Sequence, residues 1–197
     1  MKIEYLDFMC CPSCNSDLRI ESESVENDRI KEGTLVCLSC NKEYIVKNFI
    51  PRFIETKEYA DSFGSQWNAF ANVQLDDKNT SESSLRFDSE IGWDEKKLSG
   101  KSVIEIGSGA GRFVDVVSNR KAELVVGIDV TSAVDASQEN LGSRENVFFV
   151  QADIFNSPIK NYYFDFAYSV GVLHHTPDPQ RAFELMIDSV KDHGEVG

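Results

Sequence analysis

The sequence predicts an α/β protein with a doubly wound core, in which parallel strands alternate with helices, behind an N-terminal β-rich zinc ribbon. Two observations predict it. Downstream of residue 100, β-branched and aromatic apolar runs alternate with helical patterns, at 103–106, 124–128, 147–150 and 164–170. Near the N-terminus, two C-x-x-C pairs are typical of a zinc site. We therefore expect a ribbon over 1–54, a helical connector over 55–100 and the core over 101–197.

The first core strand runs directly into a glycine-rich turn. Gly107, Gly109 and Gly111 have the spacing G-x-G-x-G, with Ser108 between the first two, and a helical pattern follows. Glycines let the backbone turn sharply and approach a ligand closely. A strand–glycine turn–helix unit holds nucleotide-like ligands at the carboxyl edge of such sheets.

An acidic residue, Glu105, lies at the end of this first strand. Its carboxylate would repel a dinucleotide pyrophosphate and attract an α-amino group. The residues therefore favour a nucleoside whose tail is an amino acid. An NAD-binding domain is the alternative, which Glu105 and the G-x-G-x-G spacing disfavour.

Two further carboxylates follow successive strands. Asp129 ends the second strand, 22 positions after Gly107, about where a ribose-binding acid is expected. Asp153 follows the third strand. Because strand ends of a parallel sheet meet at one edge, we expect both carboxylates beside the glycine turn.

Residues 101–191 resemble class I S-adenosylmethionine-dependent methyltransferases, in the broad family that includes small-molecule and quinone methyltransferases. The matching segments, in order, are V-I-E-I-G-S-G-A-G-R-F, V-V-G-I-D-V-T, V-Q-A-D-I-F and D-F-A-Y-S-V-G-V-L-H-H-T-P-D-P. The resemblance implies S-adenosylmethionine as cofactor and methyl transfer to a small-molecule acceptor. Methylation of tRNA, rRNA or protein, or a non-catalytic S-adenosylmethionine-binding subunit, are the alternatives.

The resemblance also implies roles for individual residues. The glycine turn passes under the methionine part of the cofactor, Asp129 binds the ribose hydroxyls beside Val130, and Asp153 with Ile154 receives the adenine. Arg86 is a candidate partner of the methionyl carboxylate, with an ordinary surface arginine as the equal alternative. The implied cofactor-binding set is Glu105, Gly107, Ser108, Gly109, Gly111, Asp129, Val130, Asp153, Ile154, Ser169 and Arg86.

Two histidines, His174 and His175, follow the fourth strand, where an acceptor would approach. A general base is useful only if the acceptor must lose a proton, and a pKa near neutrality then suits it. One of them is a candidate base. The alternative is a histidine that only hydrogen-bonds its own loop.

The four cysteines of the C-x-x-C pairs are Cys11, Cys14, Cys37 and Cys40. Two such pairs can place four thiolates around one structural Zn²⁺. The residues between the pairs suggest a hairpin, with arms at 18–20 and 33–36 around a polar stretch at 21–32. Cys10 is left over, and a shifted register in which it replaces Cys11 stays open.

Residues 11–53 resemble the Trm112-like zinc ribbon, whose members occur as small activating partners of methyltransferases or fused in front of them. This resemblance implies a stabilising or docking module. Between ribbon and core, Tyr59, Phe63, Trp67 and Phe70 follow a helical spacing. We expect a core-facing stripe there, with a lid helix over the cofactor as the alternative.

Charge and hydropathy limit the partners. A net charge of -13 argues against an electrostatic grip on nucleic acid without a basic partner. No apolar run approaches the ~18–20 residues of a membrane span, so the sequence predicts a cytoplasmic protein without membrane contact.

The C-terminal residues 190–197 resemble the turn into a fifth core strand. We therefore expect a methyltransferase core that is incomplete at the C-terminus, with four full strands and the fourth at an open edge. Partial loss of the loops that would cover the acceptor predicts weak methyl transfer, and the open edge predicts a homodimer or aggregation through unpaired backbone groups.

Overall fold

The computed structural model describes residues 1–54, 75–76 and 80–197. In these ranges nine strands form one mixed sheet in the order β1-β2-β3-β4-β7-β6-β5-β8-β9. The strands are β1 (Leu18–Glu26), β2 (Arg29–Cys37), β3 (Glu43–Lys47), β4 (Ile50–Arg52), β5 (Ser102–Ile106), β6 (Leu124–Asp129), β7 (Val147–Gln151), β8 (Phe164–Tyr168) and β9 (Val190–Val196). The aromatic stripe predicted over residues 59–70 lies outside the described residues.

The helices in the described ranges are short. They are α1 (Glu82–Glu90), α2 (Glu95–Leu98), α3 (Arg112–Asn119), α4 (Ala133–Leu141) and α5 (Pro179–Asp188). Three 3-10 helices accompany them, at Ile3–Phe8, Ile154–Asn156 and Leu173–His175. None of these helices has the length and hydropathy that crossing a bilayer requires.

The N-terminal strands β1 to β4 form an antiparallel meander. Its first turn, Asn27-Asp28, and its last, Asn48-Phe49, have positive φ at both positions. Two-residue loops of that type match the twist of the flanking strands. The predicted hairpin is confirmed, but its arms are longer than expected, because cross-strand pairing continues through the polar stretch as far as Glu26 and Arg29.

The C-terminal core is parallel. Strand β5 lies between β6 and β8, so the strand order reverses beside the glycine turn that follows β5. The expectation of four core strands is wrong, because β9 pairs in parallel with β8. Helix α5 ends at Asp188, and strand β9 begins two residues later, at Val190.

Strand β9, and not β8, is the edge strand of the sheet on the side of the parallel core. It carries Lys191, Asp192, His193 and Glu195, all exposed, and its pairing with β8 contains a register shift. Charged side chains and irregular pairing are features that keep an edge from adding another strand. The open edge at β8, on which the expected homodimer was based, is therefore covered.

The meander and the parallel core share one sheet and one hydrophobic cluster. Strand β4 pairs in parallel with β7. The rings of Tyr5 and Phe8, from the first 3-10 helix, lie 4.4 and 6.2 Å from the ring of Phe148 in β7, and Phe8 also lies 5.6 Å from Phe164 in β8. The N-terminal part is thus packed as an extension of the core.

Candidate functional site

The glycine turn after β5 has space over its centre. Gly107 has φ +79°, and a Cβ there would lie 2.4 Å from Val172 Cγ1. Gly109 has φ +52°, and a Cβ would meet no heavy atom within 4 Å. Gly107 is therefore needed for packing, whereas Gly109 faces open space that a ligand can use. Gly111 caps α3 in the left-handed conformation.

The carboxylate of Asp129 is held against this turn. Its Oδ2 accepts a hydrogen bond from the N–H of Gly109 at 2.8 Å. Its Oδ1 accepts from the N–H and the hydroxyl of Thr131, at 2.8 and 2.7 Å. These bonds fix the orientation of the carboxylate. Oδ1 already accepts two hydrogen bonds, whereas Oδ2 keeps capacity for a further donor.

A cleft of about 290 Å³ opens at the carboxyl edge of β5, β6 and β7. Of the expected cofactor contacts, the cleft brings together Gly107, Gly109, Asp129, Val130, Asp153 and Ile154. Asp153 also accepts a hydrogen bond from the N–H of Phe155 at 3.0 Å. A glycine turn with carboxylates at two successive strand ends suits the polar edges of a nucleoside.

Several lining residues were missed by the sequence analysis. They are Ile106, Ile128, Thr131, Ala152, Phe155, Val172, Thr176 and Pro177, whereas Gly171, which also lines the cleft, belongs to the segment 169–171 that the resemblance implied for the methionyl side. Most are neighbours in sequence of residues that were singled out, and their position just before or after a strand end was the signal that could have found them. Their side chains make the cleft wall largely apolar.

Glu105 does not line this cleft. Its side chain is 2% exposed, and its Oε2 accepts a hydrogen bond from the hydroxyl of Tyr168 at 3.1 Å. Burial raises the pKa of Glu105 to about 8, against the opposing effect of that hydrogen bond. The carboxyl therefore favours its protonated form at neutral pH.

Ser108 and Ser169 also lie outside the cleft lining. The Ser108 hydroxyl is buried and has no hydrogen-bond partner within the described part of the chain. The Ser169 hydroxyl donates to the carbonyl of Ile106 at 2.8 Å, which ties the end of β8 to the end of β5.

Arg86 reaches the rim of the cleft from α1. Its Nη2 lies 3.7 Å from the position a Cβ on Gly171 would take, and Gly171 lines the cleft. Its Nε donates to Glu90 Oε1 at 2.6 Å, and its guanidinium lies 5.7 Å from the ring centre of Phe113. The arginine is thus paired on one edge and near the predicted methionyl side on another.

The two histidines differ in position. His175 lines the cleft, whereas His174 is absent from its lining; the two ring centres are 3.9 Å apart and the ring planes are tilted by 46°. Both side chains are exposed. Only His175 is placed to contact a group inside the cleft.

The four expected metal ligands come together at one end of the meander. All four Sγ atoms lie within 4.8 Å of one another. The Cys11–Cys40 and Cys14–Cys37 separations are 3.7 and 3.4 Å. Zn–S bonds of about 2.3 Å in a tetrahedron require S–S edges of about 3.8 Å. The cluster therefore has the ligand type and dimensions for zinc.

The surroundings of the cluster favour a thiolate at Cys14, whereas, against the effect of the Lys42 N–H, hydrogen bonds within the cluster and burial raise the pKa of Cys40 to about 12. The backbone N–H and hydroxyl of Ser16 lower the pKa of Cys14 to about 6. Backbone N–H groups of Ser39 and Cys40 donate to the Cys37 sulfur, both at 3.4 Å. Cys10 is not a member of the cluster; it is buried, and its N–H donates to the carbonyl of Pro158 at 2.7 Å. The shifted register is therefore wrong.

Comparison with known families gives matches to two separate segments of the chain. Residues 104–196 match the family of the methyltransferase domain, and residues 2–48 match the Trm112p-like proteins. The chain therefore contains a methyltransferase domain preceded by a Trm112p-like domain. A comparison with curated proteins finds no significant match.

Solved structures share the fold at low identity. A protein of Methanococcus maripaludis assigned to the S-adenosyl-L-methionine-dependent methyltransferases aligns with a TM-score of 0.56 and 18% identity, over 73% of this chain and 65% of its own. A complex between the Trm112 methyltransferase activator of Haloferax volcanii and a protein assigned as a methyltransferase gives 0.56 and 15%, over 72% and 60%. The [4+2]-cyclase SpnF gives 0.51 and 19%, over 69% and 58%. The chain thus spans less than two thirds of these structures, and the likeness establishes the fold.

Proposed function

We propose that this chain binds S-adenosylmethionine in the cleft beside the glycine turn and transfers its methyl group to a small-molecule acceptor. The observation that carries this proposal is the open space over Gly109, bordered by the carboxylates of Asp129 and Asp153. The methyltransferase-domain match supports it. SpnF has a similar fold and is a cyclase, so the reaction must be argued from the site.

The adenosine end of the ligand would lie across β6 and β7. Asp129 would accept a hydrogen bond from a ribose hydroxyl through the capacity that Oδ2 retains. Asp153 would accept from the adenine amino group. The side chains of Val130 and Ile154 would pack against the flat base, whose faces are apolar.

The methionyl end would lie near Gly107 and Gly171. Arg86 is the proposed partner of the carboxylate, because a guanidinium can present N–H groups to it while Nε stays with Glu90. Glu105 is buried outside the cleft lining, so we propose that it acts on the α-amino group by its charge, from directly before the glycine turn, and not by direct contact. A cation approaching that buried carboxyl would favour its ionised form, so we expect binding to displace a proton from it.

When bound, the cofactor supplies a methyl group already activated on a sulfonium. What remains for the chain is orientation and exclusion of water, which supply most of the rate in such transfers. His175 is the proposed base for acceptors that lose a proton. Its position on the cleft wall favours it over His174.

Charge favours a small acceptor. The net charge of -13 opposes a phosphate backbone, and the cleft wall is largely apolar. The Trm112p-like domain favours one second candidate, methylation of a tRNA, rRNA or protein docked on that domain. In either case we propose that the domain acts as a built-in activator, since a Trm112 activator is the partner in one structural neighbour. Reduced zinc-binding thiols fit a cytoplasmic protein.

The experiment is untargeted. The protein is incubated with S-adenosylmethionine labelled in its methyl group and with cell extract, and the small-molecule, RNA and protein fractions are counted separately. We expect label in the small-molecule fraction, absent with Asp129→Ala. Label in RNA or protein would establish the second candidate. Binding of cofactor with no label anywhere would contradict both.

A further inference from the structure

The backbone pairing between β4, the last strand of the N-terminal meander, and β7 of the parallel core is very short. Strand β4 pairs with β7 at one register position, Arg52 opposite Gln151. One further backbone bond joins the N–H of Phe53 to the carbonyl of Gln151 at 2.8 Å. Side chains must therefore supply much of the connection at this point.

The guanidinium of Arg52 makes that connection. Its Nη2 donates to Asp135 Oδ1 at 2.6 Å, and its Nη1 donates to Gln151 Oε1 at 2.7 Å. The Arg52 side chain is 13% exposed and Gln151 is buried, whereas the Asp135 side chain is 37% exposed, so the bond to Gln151 is the better shielded from water. Charge-assisted hydrogen bonds in such surroundings are among the strong ones and fix the geometry of both acceptors.

Gln151 carries the connection one step further. Its Nε2 donates to the carbonyl of Val130 at 3.3 Å. Val130 lines the cleft between Asp129 and Thr131, the residues that form the proposed ribose site. Because Arg52 holds the Gln151 oxygen, the Gln151 nitrogen is oriented towards Val130 and cannot turn away.

Asp135 provides a second connection to the same segment. It lies in the first turn of α4, and its N–H donates to the carbonyl of Ser132 at 3.0 Å. The segment from Asp129 to Ser132 is therefore held by Arg52 at both ends, through Gln151 on one side and Asp135 on the other.

We infer that Arg52 is a positioning residue that holds the adenosine end of the cofactor cleft in its binding geometry, so that strand β4 of the N-terminal meander influences cofactor affinity through this side chain. The inference rests on the proposed function, because it concerns the same cleft. Without Arg52, the segment after β6 loses two restraints. Ordering that segment then costs free energy when the cofactor binds, which lowers the affinity.

The test compares Arg52→Met with Arg19→Met. The first keeps an apolar stem and removes both hydrogen bonds. The second removes an arginine of the same domain whose ion pair, with Glu21, is exposed and local. Binding of S-adenosylhomocysteine is measured by titration calorimetry at 10 °C, with zinc content and unfolding midpoint measured on the same samples. We expect roughly tenfold weaker binding for Arg52→Met, as for a residue that couples two sites, and wild-type binding for Arg19→Met.

Gln151→Leu keeps the test decisive if Arg52→Met folds poorly. It leaves the Arg52–Asp135 pair and removes the contact to Val130, so it should also weaken binding. In a double-mutant cycle, the two losses of binding free energy should not add fully, since either variant breaks the connection from Arg52 through Gln151 to Val130. Where turnover is measurable, the KM for the cofactor should rise with little change in kcat.

The outcomes separate this inference from the proposed function. Wild-type protein that binds no S-adenosylhomocysteine contradicts the proposed function. Wild-type protein that binds, with unchanged affinity in folded Arg52→Met and Gln151→Leu, overturns the inference alone. A lowered unfolding midpoint with unchanged affinity also overturns it, because Arg52 would then only fasten the two domains.

Discussion

Tyr168 donates its phenolic hydrogen bond to the carboxyl of Glu105 across two paired strands. The two residues stand opposite each other in the register of β5 and β8, and the Oη–Oε2 distance is 3.1 Å. Burial raises the pKa of both groups, that of Glu105 to about 8. The pair therefore places a titratable acid inside the sheet directly before the glycine turn.

The first prediction concerns Glu105→Gln. The folded-state pKa lies above the ordinary value of 4.5, so between pH 4.5 and 8 the folded protein holds a proton that the unfolded chain releases. Wild-type stability attributable to this group falls as pH rises through that window, by at most about 1.4 kcal/mol per pH unit. Urea unfolding should show the variant gaining on wild type from pH 5 to pH 8.

The matched control is Glu139→Gln, an exposed carboxylate on α4. Its stability relative to wild type should change little with pH. If Glu105→Gln behaves the same way, Glu105 titrates as an ordinary carboxylate and our account of its burial is wrong.

The second prediction separates two glycines of the same turn. Gly109→Ala should lower the free energy of unfolding by about 1–2 kcal/mol, the cost of a left-handed alanine. The loss should be no larger, because the new Cβ meets no heavy atom within 4 Å. The substitution should nevertheless abolish S-adenosylhomocysteine binding. Gly107→Ala should be markedly less stable, since its Cβ would overlap Val172. Denaturant unfolding and calorimetry check both; tight binding by Gly109→Ala would show that the ligand does not use this space.

The third prediction concerns Asp129→Asn. S-adenosylhomocysteine should raise the melting temperature of wild type in line with its affinity, and the substitution should remove most of that rise. Asp192→Asn makes the same change of charge on the exposed edge strand and should keep the full rise. An equal rise in melting temperature in both variants would show that Asp129 does not bind the ribose.

The fourth prediction concerns the metal. Purified protein should contain about one zinc per chain, and Cys37→Ser should lose it. Cys10→Ser should keep the metal, because Cys10 lies outside the cluster. Since Tyr5 and Phe8 pack on β7 and β8, metal loss should lower the unfolding midpoint of the whole molecule in one transition. Wild-type protein that carries no zinc would contradict the assignment.

The residues that the sequence located best are those with a local signal. Asp129 and Asp153 follow apolar strands, so their common edge could be predicted from strand direction alone. The four cysteines could be predicted as metal ligands from the spacing of their two C-x-x-C pairs. In both cases the chemistry depends on residues next to recognisable elements.

The errors share a different cause. Strand β9 and the outer halves of β1 and β2 consist mainly of charged and polar residues, and backbone pairing with a neighbour makes them strands despite their composition. The Arg52–Gln151 pairing joins residues 99 positions apart and has no local pattern. The enclosure of Glu105 depends on Tyr168, which only the sheet register brings to it.

The junction between β4 and β7 also bears on synthesis. During translation, at about 5–20 residues per second, Arg52 emerges roughly 5–20 s before Gln151, given their separation of 99 residues. In that interval the cysteine cluster is complete and can take up its metal, while the rings of Tyr5 and Phe8 still lack the strands that cover them. We therefore expect the nascent N-terminal segment to expose apolar rings at a stage when its metal site can already form, and binding by a chaperone would be most useful during those seconds.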